Sequence, residues 1–127
     1  MRLIILFICI LALFSPLLGC RKPAPPEAPT LDAASSFCAD GQFSRARDEI
    51  KLLLGKDISP ELRAQAVLLD GVILLSMGDF EGAATSLDAI TKPTPRLKPE
   101  VDYALAKALI FAGRLERAKQ LIASIKA

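Results

Sequence analysis

The sequence predicts an all-α fold of three helical hairpins, and three observations predict it. First, a six-residue phrase recurs: Gly, any residue, a large apolar residue, any two residues, then Ala. Its copies are Gly41-Gln42-Phe43-Ser44-Arg45-Ala46, Gly78-Asp79-Phe80-Glu81-Gly82-Ala83 and Gly113-Arg114-Leu115-Glu116-Arg117-Ala118, with the glycines 37 and 35 residues apart. A period near 35 is that of stacked helix pairs, each pair burying its face on the next. Second, apolar residues recur at three- and four-residue spacing, and no segment alternates with the period of two that a strand requires. Third, Gly, Pro and Ser or Thr stand where helices start and stop.

The elements follow in order. Thr30 is the N-cap of a first helix whose apolar face is Leu31, Ala34 and Phe37, ending near Gly41. Phe43, Ala46, Ile50, Leu53 and Leu54 define a second stripe that closes at Gly55. Ser59-Pro60-Glu61 opens a third helix, with Ser as cap and Pro at the first helical position, and it runs to about Met77. Asp79 or its neighbour opens a fourth, through Ile90. Lys92-Pro93-Thr94-Pro95 cannot continue it, because proline lacks the donor and clashes with the preceding turn. Pro99 starts a fifth helix to about Ala112, and a sixth runs from Arg114 or Leu115 to the end.

The 127-residue chain has length for one small domain, and residues 1–19 lie outside it. Met1-Arg2 is a minimal positive region and Leu3 to Leu18 is an almost wholly apolar run of sixteen residues. Such a run reads as a secretory signal peptide. The alternative is a transmembrane anchor, but the run contains Pro16 and falls short of the roughly 20 residues a spanning helix needs. Leu17-Leu18-Gly19-Cys20 then resembles the lipobox of bacterial lipoprotein precursors. The resemblance implies cleavage after Gly19 and acylation of Cys20, which becomes the N-terminus; two or three acyl chains anchor stably where one is marginal. In such precursors Asp directly after the Cys retains the protein in the inner membrane. Arg21 stands there, so the resemblance implies an outer-membrane lipoprotein facing the periplasm. Four prolines among residues 21–30 favour an extended tether reaching about 30 Å.

Composition excludes more than it assigns. The 16 basic and 14 acidic residues are interspersed without a basic stripe, so nucleic-acid binding has no electrostatic basis. With Cys9 in the leader and Cys20 lipidated, Cys38 is alone, and a lone Cys on an apolar helix is ordinarily a small hydrophobe. An intermolecular disulfide is the other use of such a thiol. The chain has no histidine, which removes the commonest general base and metal ligand. Neither a zinc-type Cys pair, a phosphate-cradling Gly loop nor a Ser nucleophile elbow occurs. The carboxylate pairs Asp48/Glu49 and Asp79/Glu81 belong to second helices or their caps, where solvated and capping roles suffice. No enzyme activity and no cofactor are expected.

From about residue 28 onward the chain resembles a tetratricopeptide repeat protein. Gly41, Ala46, Gly78, Ala83, Gly113 and Ala118 match the repeat-packing positions of that family. Ile50, Leu87 and Ile122 match the large apolar residue four further on, Leu53, Ile90 and Ile125 the one three beyond, and Ala34, Gly71 and Ala106 the small residue of the first helix. The aromatic expected early in the first helix is absent, with Val67 and Asp102 in its place. An ordinary helical bundle has the same periodicity. The resemblance implies a short right-handed α-solenoid over residues 31–127, with its first helices lining a concave groove. The groove positions carry over as Leu31, Ser35, Gln65, Leu68, Val72, Leu75, Glu100, Tyr103, Lys107 and Phe111. Leu31, Ser35, Leu69, Glu100 and Ala104 stand where clamps for acidic tails need Lys, Asn and Arg, so that ligand class is rejected. The apolar wall suits an amphipathic helix or hydrophobic segment, although Leu68, Val72, Leu75 and Ile110 are equally candidates for core. Repeat arrays need a polar outer cap, and Leu121, Ile122 and Ile125 on the last helix leave apolar surface that a partner or a second copy would cover. The expected role is a lipid-anchored protein-interaction adaptor that assembles or positions an envelope complex such as a secretin, pilus or secretion apparatus. The alternative is a structural subunit of a larger envelope machine.

Overall fold

The computed structural model describes residues 29–126. The leader, Cys20 and nearly all of the tether lie outside the described residues. Within them the fold is all-helical, without a strand: α1 (Leu31–Ala39), α2 (Phe43–Leu54), α3 (Pro60–Met77), α4 (Phe80–Asp88), α5 (Lys98–Phe111) and α6 (Leu115–Lys126).

The repeated phrase is one turn written three times. Gly41, Gly78 and Gly113 have φ of 74°, 81° and 79°, the left-handed region that side chains with a Cβ avoid. The next residue donates its backbone N–H to the carbonyl five residues earlier: Gln42 to Phe37 at 2.8 Å, Asp79 to Leu74 at 2.9 Å, and Arg114 to Leu109 at 2.8 Å. This is the Schellman closure of a helix C-terminus. The same residue's carbonyl accepts the N–H of Ala46, Ala83 or Ala118 at 3.0, 2.9 and 3.1 Å, which starts the second helix of each pair. The glycines therefore serve backbone geometry, and nothing lies within 4 Å of a Cβ placed on any of them. The alanines are the packing contacts, exposed by 0%, 0% and 2%.

Caps follow the sequence. Thr30 Oγ1 accepts the N–H of Ala33 at 3.0 Å, Ser59 Oγ that of Leu62 at 3.2 Å, and Asp79 Oδ1 that of Gly82 at 2.9 Å. Helix α4 stops at Asp88 rather than Ile90, because the N–H groups of Ala89 and Ile90 turn to the carbonyls three residues back as the chain approaches Pro93. Helix α5 starts one residue before Pro99, after a turn in which Thr94 O accepts from Leu97 and Lys98.

The core consists of two clusters that meet on α3. Ala66 and Ile73 pack with Ala34, Ala46, Ile50 and Leu53 of the first hairpin. Leu68 and Leu74 pack with Ala83, Ala84 and Leu87 of α4 and with Leu97, Val101, Ala104 and Ala108 of the α5 segment. Small residues allow close approach: Gly71 is buried against Leu87, and a Cβ there would lie 2.7 Å from Leu87 Cγ and Cδ2. Each helix packs on the next in sequence. The first helices also touch one another, α1 with α3 and α3 with α5, whereas no two second helices do.

Long side chains bridge what backbones do not. Asp70 on α3 accepts Arg47 Nε from α2 at 2.8 Å and Ser86 Oγ from α4 at 3.4 Å. The hydrogen bond that Arg47 donates to the Asp70 carboxylate is the main cause that raises the Arg47 pKa above its usual value. Arg114 pairs with both oxygens of Glu81, at 3.2 and 2.7 Å, and Arg117 with Asp88 at 2.6 Å, which ties α6 to α4.

Candidate functional site

The first helices place their apolar residues on one wall. On α3, Gln65, Leu68, Val72 and Leu75 are spaced by three and four residues, so they share a face. Leu68 is only 8% exposed and forms the floor, while Val72 is 38% exposed and stands above it. Leu31 and Ser35 come from α1, and Glu100, Tyr103 and Lys107 from α5.

Nine of the ten residues expected to form a groove line two adjoining cavities. The first, of about 370 Å³, is bounded by Leu31, Ser35, Gln65, Leu68, Val72 and Glu100. The second, of about 300 Å³, shares Leu68, Val72 and Glu100 with it and adds Leu75, Tyr103 and Lys107. Together they make a trough across α1, α3 and α5. Tyr103 is its most exposed apolar wall, at 70%, and presents both ring and hydroxyl.

Phe111 is the exception. Its ring stacks on Phe80 of α4, with centroids 5.1 Å apart and planes 23° apart. It lines a third cavity, which shares Tyr103 and Lys107 with the second and extends past it along α5 to α6. Ile110 is 45% exposed and lines that third cavity too.

Three trough residues were invisible to sequence reasoning. Thr94, Arg96 and Leu97 close one side of the first cavity. They belong to the Pro-rich connector between α4 and α5, which carries no periodicity to read. Thr94 Oγ1 is buried and has no hydrogen-bond partner among the described residues. Around the first cavity stand Glu61, Glu100 and Arg96, and Lys107 marks the far end of the second. None of these four is in an ion pair among the described residues.

No protein-family model, curated protein or solved structure matches this chain. The site is therefore read from its own residues. Among the described residues, no group of three or more His, Cys, Asp or Glu is placed to hold a metal ion. One of the two carboxylate pairs is engaged elsewhere: Asp79 caps α4 and Glu81 holds Arg114. Cys38 is a free, half-buried thiol packed against the first core cluster. No helix of the described residues is long and apolar enough to cross a membrane. The chemistry on offer at the trough is an apolar floor, a polar fringe and charges at both ends.

Proposed function

We propose that this chain is a membrane-anchored adaptor whose short tetratricopeptide-like array binds a segment of an envelope protein and so helps to assemble or position a larger complex. The repeats form a right-handed α-solenoid with the first helices on the inner side, in keeping with the contacts that α1, α3 and α5 make with one another. Acylated Cys20 holds the array at the outer membrane, facing the periplasm, through the Pro-rich tether.

The observation that carries this reading is the continuous trough from Leu31 to Lys107. Its apolar lining of Leu68, Val72 and Leu75 suits the apolar face of an amphipathic helix, and its fringe residues offer polar contacts at the rim. A photo-crosslinker in place of Tyr103 is expected to capture an envelope protein from intact envelopes, with capture lost in Val72→Asp. Absence of any captured envelope protein, or capture indifferent to Val72→Asp, rejects the adaptor. Cys20→Ser is expected to release the chain from membranes, and retained tight association rejects the lipid anchor. A second reading, a structural subunit of a larger machine, is favoured by the exposed apolar residues of α6, where Ile125 is 50% exposed.

A further inference from the structure

The third cavity, of about 480 Å³ between α5 and α6, is a repeat-to-repeat surface with no helix of the described residues packed on it. The register of the three turns aligns four of its eight lining residues with earlier core-packed ones. Tyr103 corresponds to Leu31 and Leu68, Ala106 to Ala34 and Gly71, Ile122 to Ile50 and Leu87, and Ile125 to Leu53 and Ile90. The earlier residues belong to the two core clusters or pack against them, apart from the glycine, which abuts Leu87. The burial contrast is large at two of these positions: Leu68 is 8% exposed and Tyr103 70%, while Leu53 is 4% exposed and Ile125 50%. The difference is what lies on top. The first two surfaces are covered by α3 and α5.

Those two covering helices define the occupant. Helix α3 covers the first hairpin with Leu62, Ala66, Leu69 and Ile73. The α5 segment covers the second with Leu97, Val101, Ala104 and Ala108, the same spacing of i, i+4, i+7 and i+11. Position i+3 is Gln65 in one and Glu100 in the other. Each lines the trough together with a residue of the helix it covers, Gln65 with Ser35 and Glu100 with Val72. The third residue of that series is Lys107, the one charged group lining the third cavity.

We infer that the α5–α6 face docks a single amphipathic helix of another polypeptide, with small or aliphatic residues at i, i+4, i+7 and i+11 and a carboxylate at i+3 that meets Lys107. A second copy fits poorly. Stacked head to tail, it offers α1, where Asp32 and Ser36 occupy the positions of Leu69 and Ile73 and are exposed. Paired two-fold, it opposes two faces whose lining charge is Lys107 in both, without an acid to answer it.

The inference stands on the repeat register, and its face adjoins the trough at Tyr103 and Lys107. The probe is the chain's own covering helix, a fluorescent peptide of the sequence Leu97–Phe111, titrated against the full chain in detergent by anisotropy. Saturable binding is expected, weakened about tenfold or more by Ile125→Asp and by Ile110→Asp in the full chain, and by Glu100→Lys in the peptide. Both chain positions are half-exposed, and unchanged helicity by circular dichroism shows that the variants stay folded. Val72→Asp in the chain leaves peptide binding intact while removing trough capture, so the two surfaces fail separately. Absence of saturable binding overturns the inference, as does binding indifferent to both isoleucine variants. Sedimentation of the chain as a dimer that Ile125→Asp dissociates also overturns it, in favour of a second copy.

Discussion

Gly71 on α3 sits so close to Leu87 on α4 that a methyl group in place of its hydrogen would lie 2.7 Å from Leu87 Cγ. That contact sets the distance between the two helices of the middle hairpin. Alanine ordinarily stabilises a helix interior over glycine by roughly 0.5–1 kcal/mol. Here overpacking outweighs propensity, and Gly71→Ala is expected to destabilise by about 1–3 kcal/mol in urea unfolding. Leu87→Ala alone opens a cavity and costs about 2–5 kcal/mol. The double variant is expected to lose less than the sum of the two, because the shortened side chain makes room for the methyl. Simple additivity would show that the helices adjust their spacing freely.

The hairpin glycines differ from the one glycine that ends a helix in ordinary geometry. Gly78→Ala places a Cβ at φ 81° and is expected to cost about 1–2 kcal/mol. Gly55 has φ −75°, and a Cβ there makes only ordinary contacts of 3.5 and 3.6 Å, so Gly55→Ala is expected to be neutral or slightly stabilising. Thermal midpoints of the two variants check the contrast. Equal losses would mean that the repeated phrase is not held by its backbone.

Much of the fold was legible because those glycines, the caps at Thr30 and Ser59, and Pro60 act locally. Each dictates a turn or a start whatever surrounds it, so the six helices stand close to where the sequence places them. What stayed hidden depends on distant packing. Leu68 and Val72 are both apolar residues of α3, a helix that packs on two sides, and pattern alone could not make one the floor and the other the exposed wall. Leu97 lies in a connector without periodicity, yet it anchors the second core cluster at 8% exposure. Phe111 read as a groove residue because a one-dimensional register cannot show that Phe80 offers its ring a partner.

Asp70 joins three helices through Arg47 and Ser86. Asp70→Ala is expected to cost about 1–2 kcal/mol, since the partly buried guanidinium loses its partner. The raised pKa of Arg47 fixes the sign of any pH effect. A cation with a higher folded-state value adds stability that is complete below the unfolded value and fades only as pH rises through the folded one. For arginine that window lies above the neutral range. The Arg47 contribution, read as the stability difference between native and Arg47→Met chains, should therefore stay flat between about pH 7 and 9. A marked decline over that interval would assign the stability to another group.

Register-equivalent residues should differ in cost by what covers them. Leu53→Ala, at 4% exposure, is expected to lose about 2–5 kcal/mol. Ile125→Ala, at 50%, should change stability by less than about 1 kcal/mol in the isolated chain. Matching losses, measured by denaturant unfolding, would place Ile125 inside the core.

Because Ala66 and Ile73 serve one cluster while Leu68 and Leu74 serve the other, α3 cannot melt without stripping both. In a linear array each unit draws stability from its neighbours. Helix α3 packs against α1, α2, α4 and α5, four of the five other helices of the described residues. The terminal helices α1 and α6 can fray singly, but loss of the middle helix is global unfolding. Amide protons at the centre of α3 are therefore expected to set the slowest exchange among the described residues, and these helices to melt as one cooperative unit rather than hairpin by hairpin.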